Sequence, residues 1–199
     1  MPKPPSSSSS SPIKWTGWHI PFSRDEITLR EAHADLSKLG ARQEDIPLMV
    51  QLVENPRFDI PGFDLFHGAV DLKTHDYIHI LLGRGLLAED EAFVIGFTMG
   101  STNKVTTLEE NLYALASRHL YPKVYQFNDE AIRIFKDATK LGYISDCEPL
   151  NQVHYDQYLD WKLRDIRQAI ALESDLLLAY YGIEKRRYPK SEASQRLLG

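Results

Sequence analysis

Two apolar runs broken by Gly83-Arg84-Gly85 constrain the fold of this chain more than any other segment. The first run carries His75-Asp76-Tyr77-Ile78-His79, and the second begins near Ala88 and places Glu91 one turn in. On a helix of 3.6 residues per turn, His75 and His79 lie about 40° apart and roughly 6 Å along the axis, with Asp76 about 100° round from His75. Glycine on both sides of Arg84 predicts a break in the helix, and the second apolar run predicts a helix returning beside the first. A hairpin of this kind brings a carboxylate back over two imidazoles.

Helical signals govern most of the remaining chain. Ser23-Arg24-Asp25-Glu26 has the spacing of a capping box, in which serine and glutamate satisfy each other's free backbone donors. It predicts a helix from about Arg24 to Leu39, with Gly40 as its stop. A second helix is predicted over Asp45 to Val53, ended by Asn55-Pro56, and Arg57 to Asp64 with Pro61-Gly62 reads as a loop. Thr106-Thr107-Leu108-Glu109 repeats the capping-box spacing, and the helix it opens ends at Tyr121, because Pro122 disfavours helix in the residue before it. Asn128 to Leu141 predicts another helix, with Ile134, Ala138 and Leu141 on one stripe and Gly142 as the stop. Tyr155 to Ala171 and Ser174 to Tyr181 read as one long or two shorter helices. Strand-like alternation is nearly absent. The expected architecture is therefore all-α: a single-domain bundle of about seven or eight helices over residues 13–199, behind a disordered Ser/Pro-rich tail at 1–12.

A chain of 199 residues, 43% hydrophobic and 26% charged, can bury one core. Its formal net charge of -5 argues against a binder of phosphate backbones, so nucleic acid is not an expected partner. The single cysteine, Cys147, excludes an intrachain disulfide, fits a reducing compartment and reads as a bystander. No apolar stretch approaches the roughly 20 residues that span a bilayer, while peripheral membrane contact stays compatible with the sequence. The tail lacks the apolar run of a secretory signal and the arginines of a strong mitochondrial presequence, so the expected location is cytoplasmic or peripheral to a membrane. Lys185-Arg186-Arg187 reads as a solvated helix end.

Imidazoles and carboxylates bind zinc, iron or manganese, and two histidines with carboxylates leave a coordination position for water or substrate. A structural zinc knot would use several cysteines instead. Histidines four apart also arise with one capping a carbonyl and the other exposed, and acidic residues in a first turn complement the helix dipole without any metal. The spacing leaves both readings open. His67, eight residues before His75, reaches the site if the helix starts early and otherwise sits in the preceding loop, and His33, His119 and His154 have no partner at ligand spacing. Arg84 is either an exposed turn residue or a guanidinium offered to a carboxylate or phosphate near the metal, a candidate substrate contact. Aromatic residues such as Tyr113, Tyr155 and Trp161 either belong to the core or line an apolar cavity.

At His75-Asp76-x-x-His79-x11-Glu91 the sequence resembles the ubiquinone (coenzyme Q) biosynthesis protein four family, as a bacterial or divergent member. A weaker likeness runs from about Leu48 to Pro189 and takes in Tyr181-Gly182-Ile183 and Tyr188-Pro189. The resemblance implies an α-helical protein holding a divalent metal, commonly zinc, on His75, Asp76, His79 and Glu91, near an apolar cavity suited to a polyprenyl chain. It also implies a link to oxidative decarboxylation of a prenylated aromatic quinone precursor, a lyase-type activity. The implied partners are that precursor or another isoprenoid lipid, and other quinone-biosynthesis enzymes in a membrane-peripheral assembly. The implied place is the matrix side of the inner membrane in a mitochondrial setting, and a homodimer is a candidate assembly. Asp76 is alternatively a group behind the ligands, or a base acting through a metal-bound water. The glycine-rich turn at Gly83-Arg84-Gly85, with Gly96 and Gly100 beyond it, departs from the family pattern.

Two further readings remain. A metal-dependent phosphohydrolase of the His-Asp type also carries an adjacent His-Asp pair on a helix, and needs a further histidine upstream and an aspartate downstream. His33 and Asp129 or Asp137 are the candidates. The other is a non-enzymatic prenyl-lipid-binding scaffold whose metal fastens the hairpin.

Overall fold

The computed structural model describes residues 17–38, 70–104 and 127–199. The tail expected at 1–12, the helices expected at 45–53 and 106–121, the loop at 57–64, and His67, Tyr113 and His119 lie outside the described residues. Among the described residues there are seven α-helices and no β-strand: α1 (Leu29–Ser37), α2 (Leu72–Leu82), α3 (Ala88–Ser101), α4 (Asp129–Ile144), α5 (Leu163–Ala169), α6 (Ser174–Arg187) and α7 (Glu192–Gln195). The protein is all-α. Two short 3-10 turns, Leu150–Gln152 and Tyr155–Tyr158, precede α5, where a longer helix beginning at Tyr155 was expected, and α6 runs past its expected end at Tyr181.

Helix α1 starts later than the first capping box predicts. Ser23 Oγ donates to the Gly199 carbonyl, and Glu26 pairs with Lys162 and Arg164, so neither residue caps a helix. The box that forms is Thr28-Leu29-Arg30-Glu31: the Glu31 N–H donates to Thr28 Oγ1 at 3.2 Å and the Thr28 N–H to Glu31 Oε2 at 2.8 Å. The two boxes have the same spacing. The second wins because the backbone just before it is engaged in extended pairing, with Leu163 donating to the Ile27 carbonyl and Arg164 to that of Asp25.

The α2–α3 hairpin forms as the sequence predicts, and its turn is fastened from several sides. Asp71 caps α2 by accepting the Thr74 N–H at 2.9 Å. Gly83 ends it at φ 64°, a left-handed conformation in which a side chain would also meet Phe22 Cβ at 2.9 Å. The carbonyls freed at the end of the helix find donors from distant parts of the chain: Leu81 accepts from Arg167 Nε at 2.9 Å and Leu82 from the Tyr181 hydroxyl at 2.6 Å. The Arg167 charge also suits the negative end of the helix dipole.

Helix α3 is apolar on all sides and buried from Asp90 to Ser101, as a central helix must be. It packs along α4, and three glycines set how closely. A methyl group at Gly96 would collide with the Phe135 carbonyl, one at Gly100 with that of Thr139, and one at Gly142 with that of Phe97. Gly142 is thus a contact point inside α4 rather than its stop; the helix runs from its Asn128 cap to Ile144. The same close approach accounts for Gly96 and Gly100. Buried apolar side chains from Trp18 to Leu197 join this helix pair in one core cluster.

Candidate metal centre

His75 and His79 leave the same face of α2, and Glu91 returns over them from the first turn of α3. His75 Nε2 stands 3.4 Å from Glu91 Oε2, and His79 Nε2 stands 3.3 Å from Glu91 Oε1. The two imidazoles meet edge to face, their centroids 4.5 Å apart. One ligand atom from each of the three residues lies within 4.8 Å of the other two. All three side chains are buried, His79 completely.

Their hydrogen bonding sets these residues apart. His75 Nε2, His79 Nε2 and both Glu91 oxygens are buried without a hydrogen-bond partner, as is His79 Nδ1. A buried polar atom left unsatisfied costs about 1–3 kcal/mol, so such atoms are scarce in folded proteins and call for an explanation. Four of them here face one another. A divalent cation held by two imidazole nitrogens and a carboxylate satisfies them together, and the donor set is one that zinc, iron and manganese accept. His75, His79 and Glu91 can therefore bind a metal.

The electrostatics agree. Burial by itself would raise the Glu91 carboxyl, but His79 and His75 outweigh it and hold the group well below the usual carboxylate range. Burial opposes charge on His79, yet Glu91, aided by Asp76 and Asp90, raises it above its ordinary value. Negative charge thus gathers where a cation would sit. The three acids at the start of α3 also divide their roles. Glu89 accepts from Asn128 Nδ2 at 3.1 Å, Asp90 accepts the Leu87 N–H at 3.2 Å and pairs with Arg196, and only Glu91 faces the imidazoles. Dipole complementation alone does not account for Glu91.

Asp76 stands outside the group of three. Its Oδ2 lies 3.5 Å from Nε2 of His33, which reaches across from α1. Burial raises the Asp76 carboxyl, against the pull of His79, His75 and His33. His33, without a partner at ligand spacing in the sequence, acquires one when α1 docks on α2, and its ring also meets that of Tyr77 at 5.0 Å. Of the downstream aspartates, Asp137 accepts from Arg187 and the Tyr180 hydroxyl, and Asp129 opens α4; neither joins the metal group. His154 is exposed.

Arg84 is not an exposed turn residue. It is fully buried, its two terminal nitrogens donate to Glu184 at 2.9 and 2.7 Å, and Ser194 Oγ donates to the same carboxylate at 3.0 Å. The guanidinium lies 3.7 Å from the Phe93 ring centroid and 4.4 Å from that of Tyr181. The carboxylate it meets is the protein's own, and sequence spacing carried no signal for a partner on α6. Cys147 is buried, and burial pushes its thiol up, away from the reactive thiolate. Tyr155 belongs to the core, whereas Trp161 is exposed. No helix among the described residues is long and apolar enough to cross a membrane. No family model, curated protein or solved structure matches this chain.

Proposed function

We propose that the protein is a zinc-type metalloprotein of quinone or prenyl-lipid metabolism, with His75, His79 and Glu91 as its protein ligands. The observation that carries the metal is the convergence of four buried ligand atoms from those three residues, none with a hydrogen-bond partner. Two imidazoles and one carboxylate leave a fourth position, the arrangement of catalytic zinc sites rather than of closed structural ones. A bound divalent ion supplies Lewis-acid stabilisation of charge developing on a substrate oxygen. Asp76, with His33 beside its carboxylate, would hold a proton at the edge of the site. The quinone reading is supported by the spacing of His75, Asp76, His79 and Glu91. It makes a prenylated aromatic acid the substrate and decarboxylation the reaction class.

Elemental analysis of purified protein, beside a His79→Ala variant, tests the metal. The expected result is about one divalent ion per chain in the parent and its loss in the variant; equal content in both overturns the assignment. Quinone metabolism is tested separately by deleting the gene and measuring quinones and their precursors, where unchanged pools overturn it.

The contact between His33 and Asp76 favours a second reading, the His-Asp phosphohydrolase, because it brings an upstream histidine onto the adjacent His-Asp pair. That reading calls for hydrolysis of nucleoside monophosphates supported by manganese or cobalt.

A further inference from the structure

A groove of about 590 Å³ runs between α1 and α2, beside the metal ligands and separate from them. Arg30, Lys38 and Lys73 line it, His33 and Tyr77 form part of its wall, and Leu159 adds an apolar side. Among the described residues no carboxylate lines it. We propose that this groove binds the phosphate group of a small organic ligand, and that His33 joins it to the metal centre through Asp76.

Three basic residues line it from two helices and a helix end: Arg30 from α1, Lys38 at its C-terminal cap and Lys73 from the first turn of α2. Each already pairs with an aspartate, Arg30 with Asp160 at 2.8 Å, Lys73 with Asp156 at 2.6 Å and Lys38 with Asp35 at 3.1 Å. These pairs are solvent-exposed, a setting in which an ion pair contributes about 0–1 kcal/mol, so an incoming anion displaces them at small cost. A phosphate dianion carries more charge than the single carboxylate each cation now holds, and the Arg30 fork matches two phosphate oxygens. Tyr77 and Leu159 offer an apolar wall to the ligand's organic body, and the groove's volume lies in the range of small-molecule sites. His33 lines the groove and also stands 3.5 Å from Asp76, the neighbour of His75 in sequence. A ligand held by its phosphate therefore lies alongside the metal centre.

The test is titration of the full chain with sodium phosphate and with phenyl phosphate, followed by calorimetry and by amide shifts, after chelation and again with zinc added. Saturable binding to the chelated protein is expected, tighter for phenyl phosphate. An Arg30→Ala/Lys73→Ala variant should bind at least tenfold more weakly with an unchanged melting temperature, since both side chains are exposed. Asp160→Asn should bind more tightly than the parent, an effect that a merely structural role for these residues would not produce. Absence of binding overturns the proposal, and so does binding that survives in the double variant. Binding that needs zinc and survives in the double variant places phosphate on the metal, which overturns the groove while leaving the metal assignment standing. Sedimentation with phosphatidic acid vesicles, lost in the double variant, would assign the phosphate to a lipid headgroup; binding confined to the soluble probes would assign it to a solute.

Discussion

Glu91 and Glu184 are both buried carboxylates, and their partners give them opposite roles. Glu184 receives both terminal nitrogens of Arg84 and the Ser194 hydroxyl, so its charge is fully answered within the protein. Glu91 faces two imidazoles at 3.3 and 3.4 Å without a hydrogen bond, an arrangement that could hold a cation. Neutralising each therefore reads out differently. Glu184→Gln strands Arg84 as an unpaired buried charge and should lower unfolding stability in urea by about 3–5 kcal/mol. Glu91→Gln should leave the fold intact and weaken zinc binding at least tenfold, about 1.4 kcal/mol, measured by competition with a chromophoric chelator. The pH response of the site follows from His79. Glu91 raises its affinity for a proton, and a metal binds only the neutral ring, so the two compete. Zinc affinity should rise with pH through a folded-state pKa above the ordinary 6.5, with proton release on binding detectable in weakly buffered solution. An affinity flat across that interval would remove His79 from the ligand set.

At the scale of the helices, packing decides what local signals cannot. Gly96 and Gly100 of α3 face the Phe135 and Thr139 carbonyls of α4, whereas a Cβ added at Gly182 on α6 would meet Arg186 Nη1 at 3.6 Å, an ordinary contact. Gly96→Ala should therefore destabilise the protein by about 1–3 kcal/mol through overpacking. Gly182→Ala should stabilise it by roughly 0.5–1 kcal/mol through backbone entropy alone, and denaturant unfolding of the pair checks the opposite signs. The same distinction separates what was legible in the sequence from what was not. The α2–α3 hairpin was legible because its signals are local: two glycines around Arg84, an apolar period and ligands one turn apart. Ser23-Arg24-Asp25-Glu26 misled because Thr28-Leu29-Arg30-Glu31 has an identical pattern, and pairing with 161–164 chose between them. Gly142 resembled a stop because glycine ends many helices, and only the approach of Phe97 shows its other use. The spacing also brought His75, His79 and Glu91 into view, and the structure gathers these three into a group that could hold a metal. The His33 contact of Asp76 was not, because it exists only once α1 lies on α2.

Across the whole molecule the contacts converge on Tyr181. Its hydroxyl donates to the Leu82 carbonyl at the end of α2, and its ring meets Phe22 from the N-terminal segment and Phe93 from α3. The Arg84 guanidinium, locked on Glu184, lies over the same ring. One side chain on α6 thus holds together the α2–α3 hairpin and the segment before α1, and it does so only while its hydroxyl keeps its proton. Burial pushes that hydroxyl up to about 12, against the pull of Arg84. In the unfolded chain the group ionises near its ordinary 10.0, so the folded form binds the proton more tightly. The stability this supplies is complete below pH 10 and is lost as pH rises toward about 12. A two-unit difference corresponds to roughly 3 kcal/mol. Burial also raises Tyr155 and Tyr180, so all three tyrosines act in the same direction. Urea unfolding across this interval should show a steep alkaline decline, with tyrosinate absorbance appearing together with the loss of helical circular dichroism. Tyr181→Phe keeps the ring contacts and removes the titrating group: it should be less stable near neutrality, by the lost hydrogen bond, and decline less steeply above pH 10. A decline of unchanged slope in that variant would move the alkaline transition away from Tyr181.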